Sequence, residues 1–177
     1  MCNRWKGGLQ HKPDKDTYYM SLCYLISQRS IDTSTCCGAV LVSKQGRILS
    51  TGYNGPVSGS LDENVPMTRP EKYMYMIHSE ENCLLSYFGS AQDIEGSTMY
   101  ITGTPCSVCF RMMLQKGIRK FVYARVNRAV MMTDEHEKAK REMGIGKELQ
   151  IVEYHDMSKI KGLLSRTIDY IDYCIDR

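Results

Sequence analysis

Two short segments of this sequence contain residues whose types and spacing could support chemistry. His78 and Glu80 lie two positions apart in the first segment, and Cys106 and Cys109 lie three positions apart in the second, directly after Pro105. Cysteines at this spacing in the first turn of a helix lie on the same side and can share one ion. Imidazole nitrogen and thiolate sulfur are ligands that zinc prefers. The two segments together predict a zinc site held by His78, Cys106 and Cys109.

The predicted zinc site is open, and Glu80 is its predicted acid–base residue. A closed structural site needs a fourth protein ligand, and none stands near either segment. An open site leaves one position to water, whose pKa zinc lowers to roughly 7. Glu80 can lie beside that water without binding the metal. Glu81 is turned by about 100° around the helix relative to Glu80, which favours a supporting or surface role for Glu81.

Both segments open a predicted helix after an extended stretch, so their positions depend on strand-to-helix junctions. Apolar periodicity and capping residues predict a first helix that starts at Asp14 or Asp16 and ends near Arg29. Further helices are predicted over residues 78–88, 105–117, 134–143 and 158–174, the last capped by Ser158. Apolar and β-branched runs predict strands over residues 37–43, 47–53, 98–102, 120–126 and 148–154.

The order of these elements predicts the fold class. A hairpin followed by alternating helices and strands indicates an α/β fold with a five-stranded mixed sheet and helices on both faces. Residues 54–70 are rich in Gly, Pro, Ser and Asp, and this predicted loop is long enough to suggest function. Residues 1–15 are predicted to be an N-terminal extension, and residues 16–177 a single domain.

Composition limits the classes of protein to be considered. The chain has 177 residues, is 42% hydrophobic and carries a net charge of +3, which is ordinary for one soluble domain. No apolar run approaches the roughly 18–20 residues that cross a bilayer, and the polar start is not a signal peptide. Lys138, Lys140 and Arg141 are interpreted as a solvated helix face rather than a nucleic-acid surface. We therefore expect a cytoplasmic protein without a membrane or nucleic-acid partner.

The cysteines outside the zinc segment are interpreted as structural. Eight cysteines in a chain without a signal peptide favour reduced thiols and metal ligation over disulfides. Cys36 and Cys37 are predicted to be buried at the start of a strand, on opposite faces of the sheet. Core positions on helices are predicted for Cys23, Cys83 and Cys174.

The zinc segments and their surroundings resemble the deoxycytidylate deaminases of the cytidine deaminase-like superfamily. The order H-x-E followed by P-C-x-x-C is typical of zinc deaminases. The resemblance also rests on SQRS at residues 27–30, GYNGP at 52–56, IEGSTMYITGTPCSVC at 94–109 and KGIRKFVYA at 116–124. It extends from about residue 16 to residue 124, and more weakly to residue 145.

This resemblance implies a three-layer α-β-α fold and a reaction. The expected activity is the zinc-dependent hydrolysis of dCMP to dUMP and ammonia, which supplies dUMP for thymidylate synthesis. Residues 127–132 lack the aromatic residue that is usual in the family. This departure leaves open an alternative substrate, dCTP or a 5-substituted dCMP.

The resemblance also implies residues that bind the nucleotide. Asn54 is expected to hold the deoxyribose 3′-OH, since an amide offers both a donor and an acceptor. The backbone near Ala39 and Pro105 is expected to border the base. Arg29 is the main candidate for the phosphate, because a guanidinium matches phosphate oxygens; an exposed arginine at a helix end is the other interpretation. Secondary phosphate candidates are Arg69 and Lys72.

Assembly and regulation are further implications of the resemblance. Family members form homohexamers, and many are activated by dCTP with Mg²⁺ and inhibited by dTTP. Gly52, Tyr53 and Gly55 form the candidate loop for such an effector, although these glycines are also what a turn requires. Because residues 54–76 contain no Cys or His, we expect one zinc per chain. The expected location is the cytoplasm, or the host cytoplasm for a viral protein.

Two other classes of function make demands on the sequence that differ from those of a nucleotide deaminase. Deamination of a base in tRNA or single-stranded DNA would call for a basic, aromatic-rich groove, whereas the sequence has a single Trp and no basic cluster beside the site. A catalytically inactive nucleotide sensor would need a loss elsewhere, since all four residues of the zinc site are present. Nucleotide binding without ammonia release would identify such a sensor.

Overall fold

The computed structural model describes residues 12–124 and 134–175. Its helices are α1 (Lys15–Ser27), α2 (Ser79–Leu85), α3 (Ala91–Ile94), α4 (Ser107–Gln115), α5 (Asp134–Gly144) and α6 (Met157–Ile175). Its strands are β1 (Gly38–Val42), β2 (Ile48–Tyr53), β3 (Gly55–Pro56), β4 (Met76–Ile77), β5 (Thr98–Ile101), β6 (Lys120–Ala124) and β7 (Gln150–Tyr154). Short 3₁₀ helices cover Asp62–Asn64 and Glu71–Met74.

Five strands form one mixed sheet in the order β2-β1-β5-β6-β7. Strand β1 is antiparallel to both β2 and β5, whereas β5, β6 and β7 run parallel. Parallel neighbours need a crossover connection, and α4 and α5 lie on the two crossovers. The predicted five-stranded mixed sheet is confirmed, and β3 pairs with β4 in a separate two-stranded sheet.

Side chains that alternate along the strands build two cores, one on each face of the sheet. In β1, Ala39 and Leu41 pack with residues of α2 and α4, whereas Val40 and Val42 pack with residues of α1 and α6. All five residues of β1 are buried, because the strand has neighbours on both edges and helices on both faces. The three-layer α-β-α architecture is therefore confirmed.

The helix starts decide between the capping residues that the sequence proposes. Asp14 caps α1, since its Oδ1 accepts a hydrogen bond of 2.8 Å from the Thr17 backbone N–H. Asp16 instead accepts a hydrogen bond of 2.6 Å from the Tyr100 hydroxyl. The prediction of Ser158 as a cap is wrong, because α6 already begins at Met157. Asp156 takes this role and accepts a 3.2 Å hydrogen bond from the Lys159 backbone N–H.

Helix α2 is shorter than the predicted 78–88 helix. It ends at Leu85, and the following segment turns into α3, whose first free N–H groups are capped by Ser90. The Tyr87 hydroxyl spans this turn: it donates a 2.7 Å hydrogen bond to Asp93 Oδ2 and lies 3.1 Å from the Ser90 carbonyl oxygen. These contacts within residues 87–93 stabilise the turn that follows the end of α2.

Three of the structural cysteines lie elsewhere than predicted. Strand β1 begins only at Gly38, so Cys36 and Cys37 belong to the preceding loop, where Cys36 is exposed. A Cβ at position 38 would overlap the Cys23 carbonyl oxygen of α1, so Gly38 is the point at which the chain can enter the sheet.

Cys174 is exposed rather than in the core. It lies near the end of α6, a helix in which Ile160 near the start is the buried residue. The predicted core positions of Cys23 and Cys83 are confirmed, since both are fully buried.

No helix in the described parts of the chain has the length and apolar character needed to cross a membrane.

Candidate metal centre

The two chemical segments meet at the N-termini of two neighbouring helices. His78 is the N-cap residue of α2 and Cys106 is the N-cap residue of α4, and both have extended backbones with ψ of 157° and 165°. An N-cap side chain points toward the first turn of its helix. Cys106 Sγ accordingly accepts a 3.4 Å hydrogen bond from the Cys109 backbone N–H. The predicted strand-to-helix junctions are what bring the three side chains together.

The donor atoms of His78, Cys106 and Cys109 have the spacing of a tetrahedral zinc site. His78 Nδ1 lies 3.6 Å from Cys106 Sγ and 3.4 Å from Cys109 Sγ, and all three donor atoms lie within 4.8 Å of one another. Tetrahedral zinc with its usual bond lengths of roughly 2.0–2.3 Å separates sulfur from nitrogen by about 3.5 Å. One imidazole and two thiols of this geometry fit zinc and leave a fourth position open.

The two thiols and the imidazole of the cluster shift one another's pKa values. The hydrogen bond from Cys109 and the proximity of His78 outweigh burial and lower the pKa of Cys106 to about 3. The same shared proton raises the pKa of Cys109. The hydrogen bond to Cys106 raises the pKa of His78 to about 9, against the effect of burial. Metal ligands must be deprotonated, so binding of a cation would displace the protons of these three side chains.

Glu80 lies in the first turn of α2, two residues from His78, with only 5% of its surface exposed. Burial raises the pKa of its carboxyl group, and the charge of His78 partly opposes this shift. The Ser79 hydroxyl donates a 2.9 Å hydrogen bond to Glu80 Oε2 and so orients the carboxylate. A buried carboxyl group with a raised pKa is suited to taking up and returning protons near neutral pH. Glu81 is less buried than Glu80.

The side chain of Asn54 is held by three protein partners. Its Nδ2 donates to Asp32 Oδ2 at 3.1 Å and to the Thr35 carbonyl at 2.9 Å. Its Oδ1 accepts a hydrogen bond of 2.6 Å from the Cys37 backbone N–H. Both amide hydrogens are thus committed within the chain. Asn54 can therefore only accept a hydrogen bond from a ligand, whereas its residue type alone predicts both a donor and an acceptor.

Ala39 and Pro105, the residues expected to border the base, are both buried. Ala39 lies in β1 between its register partners Gly52 and Ile101. The Pro105 carbonyl accepts a 3.3 Å hydrogen bond from Lys140 Nζ.

The interpretation of Lys140 as part of a solvated helix face is wrong. Lys140 is buried and pairs with Glu137 at 2.6 Å, rather than lying on a solvated face. The spacing of Glu137 and Lys140 is compatible with an ion pair along a helix, and this is the one signal in the sequence that could have identified the pair. The contact with Pro105 depends on how α5 packs, which no local pattern indicates.

Arg29 and the predicted effector loop line the same surface cleft. This cleft of about 400 Å³ is lined by Arg29, Gly52, Tyr53 and Gly55, among others, and by none of the three zinc ligands. The Arg29 guanidinium lies 5.9 Å from the centre of the Tyr53 ring. Gly52 is a strand residue and not a turn residue, since it lies in β2. A Cβ there would overlap the backbone of Ser79 and Cys83, so its small size lets α2 pack directly on the strand.

The two secondary phosphate candidates lie in different environments. Lys72 is 3% exposed, and its ammonium group contacts both carboxylate oxygens of Asp32 at 2.7 and 2.6 Å. It is therefore a partner of Asp32 rather than a surface cation. Arg69 is exposed. Residues 127–132, whose composition leaves the identity of the substrate open, lie outside the described part of the chain.

Comparison with known proteins agrees with this geometry. Residues 13–125 match the model of the cytidine and deoxycytidylate deaminase zinc-binding region. The chain is 31% identical over 112 residues to deoxycytidylate deaminase of Pongo abelii, an alignment that covers 60% of this chain and 62% of the relative. It is 30% identical over 149 residues to deoxycytidylate deaminase of Enterobacteria phage T4, which covers 62% of this chain and 77% of the relative.

A solved structure shares the fold over most of the chain. The dCMP deaminase of cyanophage S-TIM5 in complex with dCMP and dUMP has a TM-score of 0.61 and 28% sequence identity. The match covers 81% of this chain and 98% of the cyanophage chain. The chain therefore spans nearly all of this structure, but only 62% of the length of the Pongo abelii relative.

Proposed function

The chain belongs to the cytidine and deoxycytidylate deaminase family, and from this premise we propose that it hydrolyses dCMP to dUMP and ammonia. The observation that carries the proposal is the metal centre, in which three zinc-compatible donor atoms lie within 4.8 Å of one another. The buried carboxyl group of Glu80 stands two residues from one of these donors. Similarity to the phage T4 and cyanophage enzymes supports dCMP as the substrate.

In this reaction, the oxygen of water forms a bond to C4 of cytosine and the exocyclic amine leaves as ammonia. His78 Nδ1, Cys106 Sγ and Cys109 Sγ would hold the zinc, which supplies a water acidified to a pKa of roughly 7. Glu80 takes the proton of the attacking water and passes it to ring N3. Glu80 then takes the second proton from the new C4 hydroxyl and gives it to the amine. The bond from C4 to the amine breaks as the C4 carbonyl forms, ammonia leaves, and the carboxylate is regenerated at the end of each turnover.

The remaining site residues bind the nucleotide around this centre. Asn54 Oδ1 accepts a hydrogen bond from the 3′-OH of the deoxyribose, and the backbone near Ala39 and Pro105 borders the base. Arg29 binds the phosphate through its guanidinium group. Support for these roles comes from the match of residues 13–125 to the family and from the burial of Asn54, Ala39 and Pro105.

Regulation and assembly belong to the same proposal. The cleft lined by Gly52, Tyr53 and Gly55 would take dCTP with Mg²⁺ as an activator and dTTP as an inhibitor. The chain would assemble as a homohexamer, hold one zinc per chain and act in the cytoplasm, or in the host cytoplasm if the protein is viral. Arg29 also lines this cleft, so its guanidinium is a candidate for the phosphate of the effector as well as for that of the substrate.

A panel of substrates tests the proposed activity. Ammonia release is measured with dCMP, dCTP, CMP, cytidine and 5-methyl-dCMP, each with and without dCTP or dTTP as effector. We expect the highest kcat/KM for dCMP. Preference for dCTP or for 5-methyl-dCMP would move the assignment to the alternative cytosine nucleotide. Binding of every nucleotide without ammonia release would identify an inactive sensor.

A further inference from the structure

A buried ion pair joins the loop before β1 to the segment before β4. Asp32 lies between α1 and β1, and Lys72 lies in the 3₁₀ helix before β4, the strand that leads to His78. The side chains of Lys72 and Asp32 are 3% and 4% exposed, and their closest atoms are 2.6 Å apart. Lysine is almost never buried without a charged partner. Buried ion pairs add little net stability, so a role beyond stability has to be sought for this one.

The Asp32 carboxylate is an acceptor for several donors. Besides Lys72, it accepts from the backbone N–H groups of Ser34 and Thr35 at 2.8 and 3.1 Å, and from Asn54 Nδ2. Burial acts to raise the pKa of Asp32, and the hydrogen bonds from Lys72, Ser34 and Thr35 outweigh it and lower the pKa. Asp32 is therefore ionised at neutral pH and can only accept hydrogen bonds.

These partners determine which way the Asn54 amide faces. The Cys37 N–H can only donate, so the atom 2.6 Å from it must be Oδ1. The ionised Asp32 carboxylate and the Thr35 carbonyl can only accept, so the atom that contacts both must be Nδ2. An amide has two hydrogens and two acceptor lone pairs. Both hydrogens and one lone pair are occupied, which leaves a single lone pair on Oδ1.

We propose that Asp32 and Lys72 are positioning residues that hold Asn54 in an acceptor-only orientation, so that the site selects nucleotides whose sugar hydroxyl donates a hydrogen bond. This inference rests on the proposed function for the identity of the substrate. The two charges are needed together. Without Lys72, the pKa of the buried carboxyl group would rise. Its protonated form would accept fewer hydrogen bonds from the loop that carries Thr35 and Cys37, the backbone partners of the Asn54 amide.

The test compares dCMP with two analogues altered at the 3′ position. 2′,3′-Dideoxy-CMP lacks the hydroxyl group, and 3′-fluoro-2′,3′-dideoxy-CMP keeps its size but cannot donate. In the wild type, we expect kcat/KM to fall roughly tenfold or more for both analogues, since a buried acceptor is left without a donor. In Asp32→Asn and Lys72→Met, the ratio of kcat/KM for dCMP to that for the 3′-fluoro analogue should fall toward one, mainly through KM, at unchanged zinc content.

Two further variants separate orientation from stability. Asp32→Leu combined with Lys72→Met replaces the pair by apolar groups, which often preserves stability. It should also weaken the preference for a 3′ donor, because the loop that carries Thr35 and Cys37 loses its hydrogen bonds to Asp32. Lys138→Met removes a lysine that is 69% exposed and paired within α5, and should leave the preference unchanged. A 3′ preference retained in every Asp32 and Lys72 variant would overturn the positioning role and leave the proposed activity intact.

A readout without substrate tests the orientation itself. In ¹⁵N NMR, the Asn54 side-chain NH₂ pair, assigned from its absence in Asn54→Asp, should exchange slowly with solvent in the wild type. The exchange should become at least tenfold faster in Lys72→Met. Fast exchange in the wild type would overturn the inference whatever the activity, whereas slow exchange in a protein that releases no ammonia from dCMP would refute only the proposed function.

Discussion

The metal centre and the contacts of the Asp32–Lys72 ion pair are built in different ways. His78, Glu80, Cys106 and Cys109 occupy the first turns of two helices, so the local backbone positions each pair. The loop node, formed by Asp32, Asn54 and Lys72, joins residues 22 and 40 positions apart through side chains alone. The spacing within each pair of residues in the metal centre is set by one helix start. The orientation of the Asn54 amide requires contacts that only the folded chain supplies.

Removal of the metal should have the largest effect and should act on the metal centre alone. Dialysis against a chelator is expected to lower ammonia release from dCMP by more than about 10⁴-fold, because unassisted water is a poor nucleophile at neutral pH. Addition of Zn²⁺ should restore the rate. The measurement is activity against zinc content determined by atomic absorption. Activity that persists in a protein free of zinc would contradict the proposed chemistry.

Substitution of the acid–base residue should be nearly as severe while leaving the metal bound. Glu80→Gln keeps the size of a buried side chain but removes its capacity to carry a proton, so we expect kcat to fall roughly 10²–10⁴-fold at unchanged zinc content. Glu81→Gln is the matched control one residue along α2 and should retain most of the activity. Comparable losses in both variants would indicate that the carboxylates support the helix rather than the reaction.

Prediction from the sequence succeeded where local spacing decides the structure and failed where contacts between distant residues decide it. The cluster of His78, Cys106 and Cys109, the two candidate caps of α1 and the five-stranded mixed sheet all follow from spacing or periodicity within one or two elements. The predictions for Cys36, Cys174 and Lys140 were wrong because each depends on how far an element extends or on what covers it. Lys140 lies on a helix whose pattern is polar, yet Glu137 and the Pro105 carbonyl surround its ammonium group.

The loop node should matter for stability when one charge is removed. Lys72→Met leaves the buried Asp32 carboxylate without its cation, and removal of one partner of a buried pair costs about 3–5 kcal/mol. Urea unfolding at pH 7 measures this loss. Asp32→Leu combined with Lys72→Met should recover much of it. A single variant as stable as the wild type would show that the pair is better solvated than its burial indicates.

This stability difference should depend on pH in a defined direction. The pKa of folded Asp32 lies below its ordinary value of 3.8, so its contribution is present above that value and is lost as pH falls through the lower, folded pKa. In Lys72→Met, the strongest of the groups that lower the pKa of Asp32 is gone while burial still raises it, so we expect the carboxylate to take up a proton at a higher pH than in the wild type. The difference in unfolding free energy should therefore shrink between pH 7 and pH 4. A constant difference would argue against an ionised Asp32.

The contact between Lys140 and Pro105 should have a smaller effect, since it touches the metal centre from outside. Lys140→Met removes a charged hydrogen bond to the carbonyl that precedes Cys106, and we expect a loss of about 1–3 kcal/mol in unfolding free energy. The Glu137 side chain is 38% exposed, so water can solvate it once the lysine is gone. Lys138→Met is the control. Equal stability of the two variants would contradict a supporting role for Lys140.

Substitution of Arg29 should have the smallest effect, because Arg29 lines the cleft with Tyr53 and Gly55 rather than the metal centre. The measurement distinguishes binding of the substrate phosphate from binding of an effector. If its guanidinium binds the substrate phosphate, Arg29→Ala should raise KM for dCMP about tenfold, which is about 1.4 kcal/mol, without affecting cytidine. If it binds an effector instead, KM for dCMP measured without effector should stay constant while the dCTP concentration for half-activation rises. Arg47→Ala, another exposed arginine, controls for net charge. An unchanged response in both assays would leave Arg29 as a surface residue stacked near Tyr53 and would confine phosphate recognition to other residues.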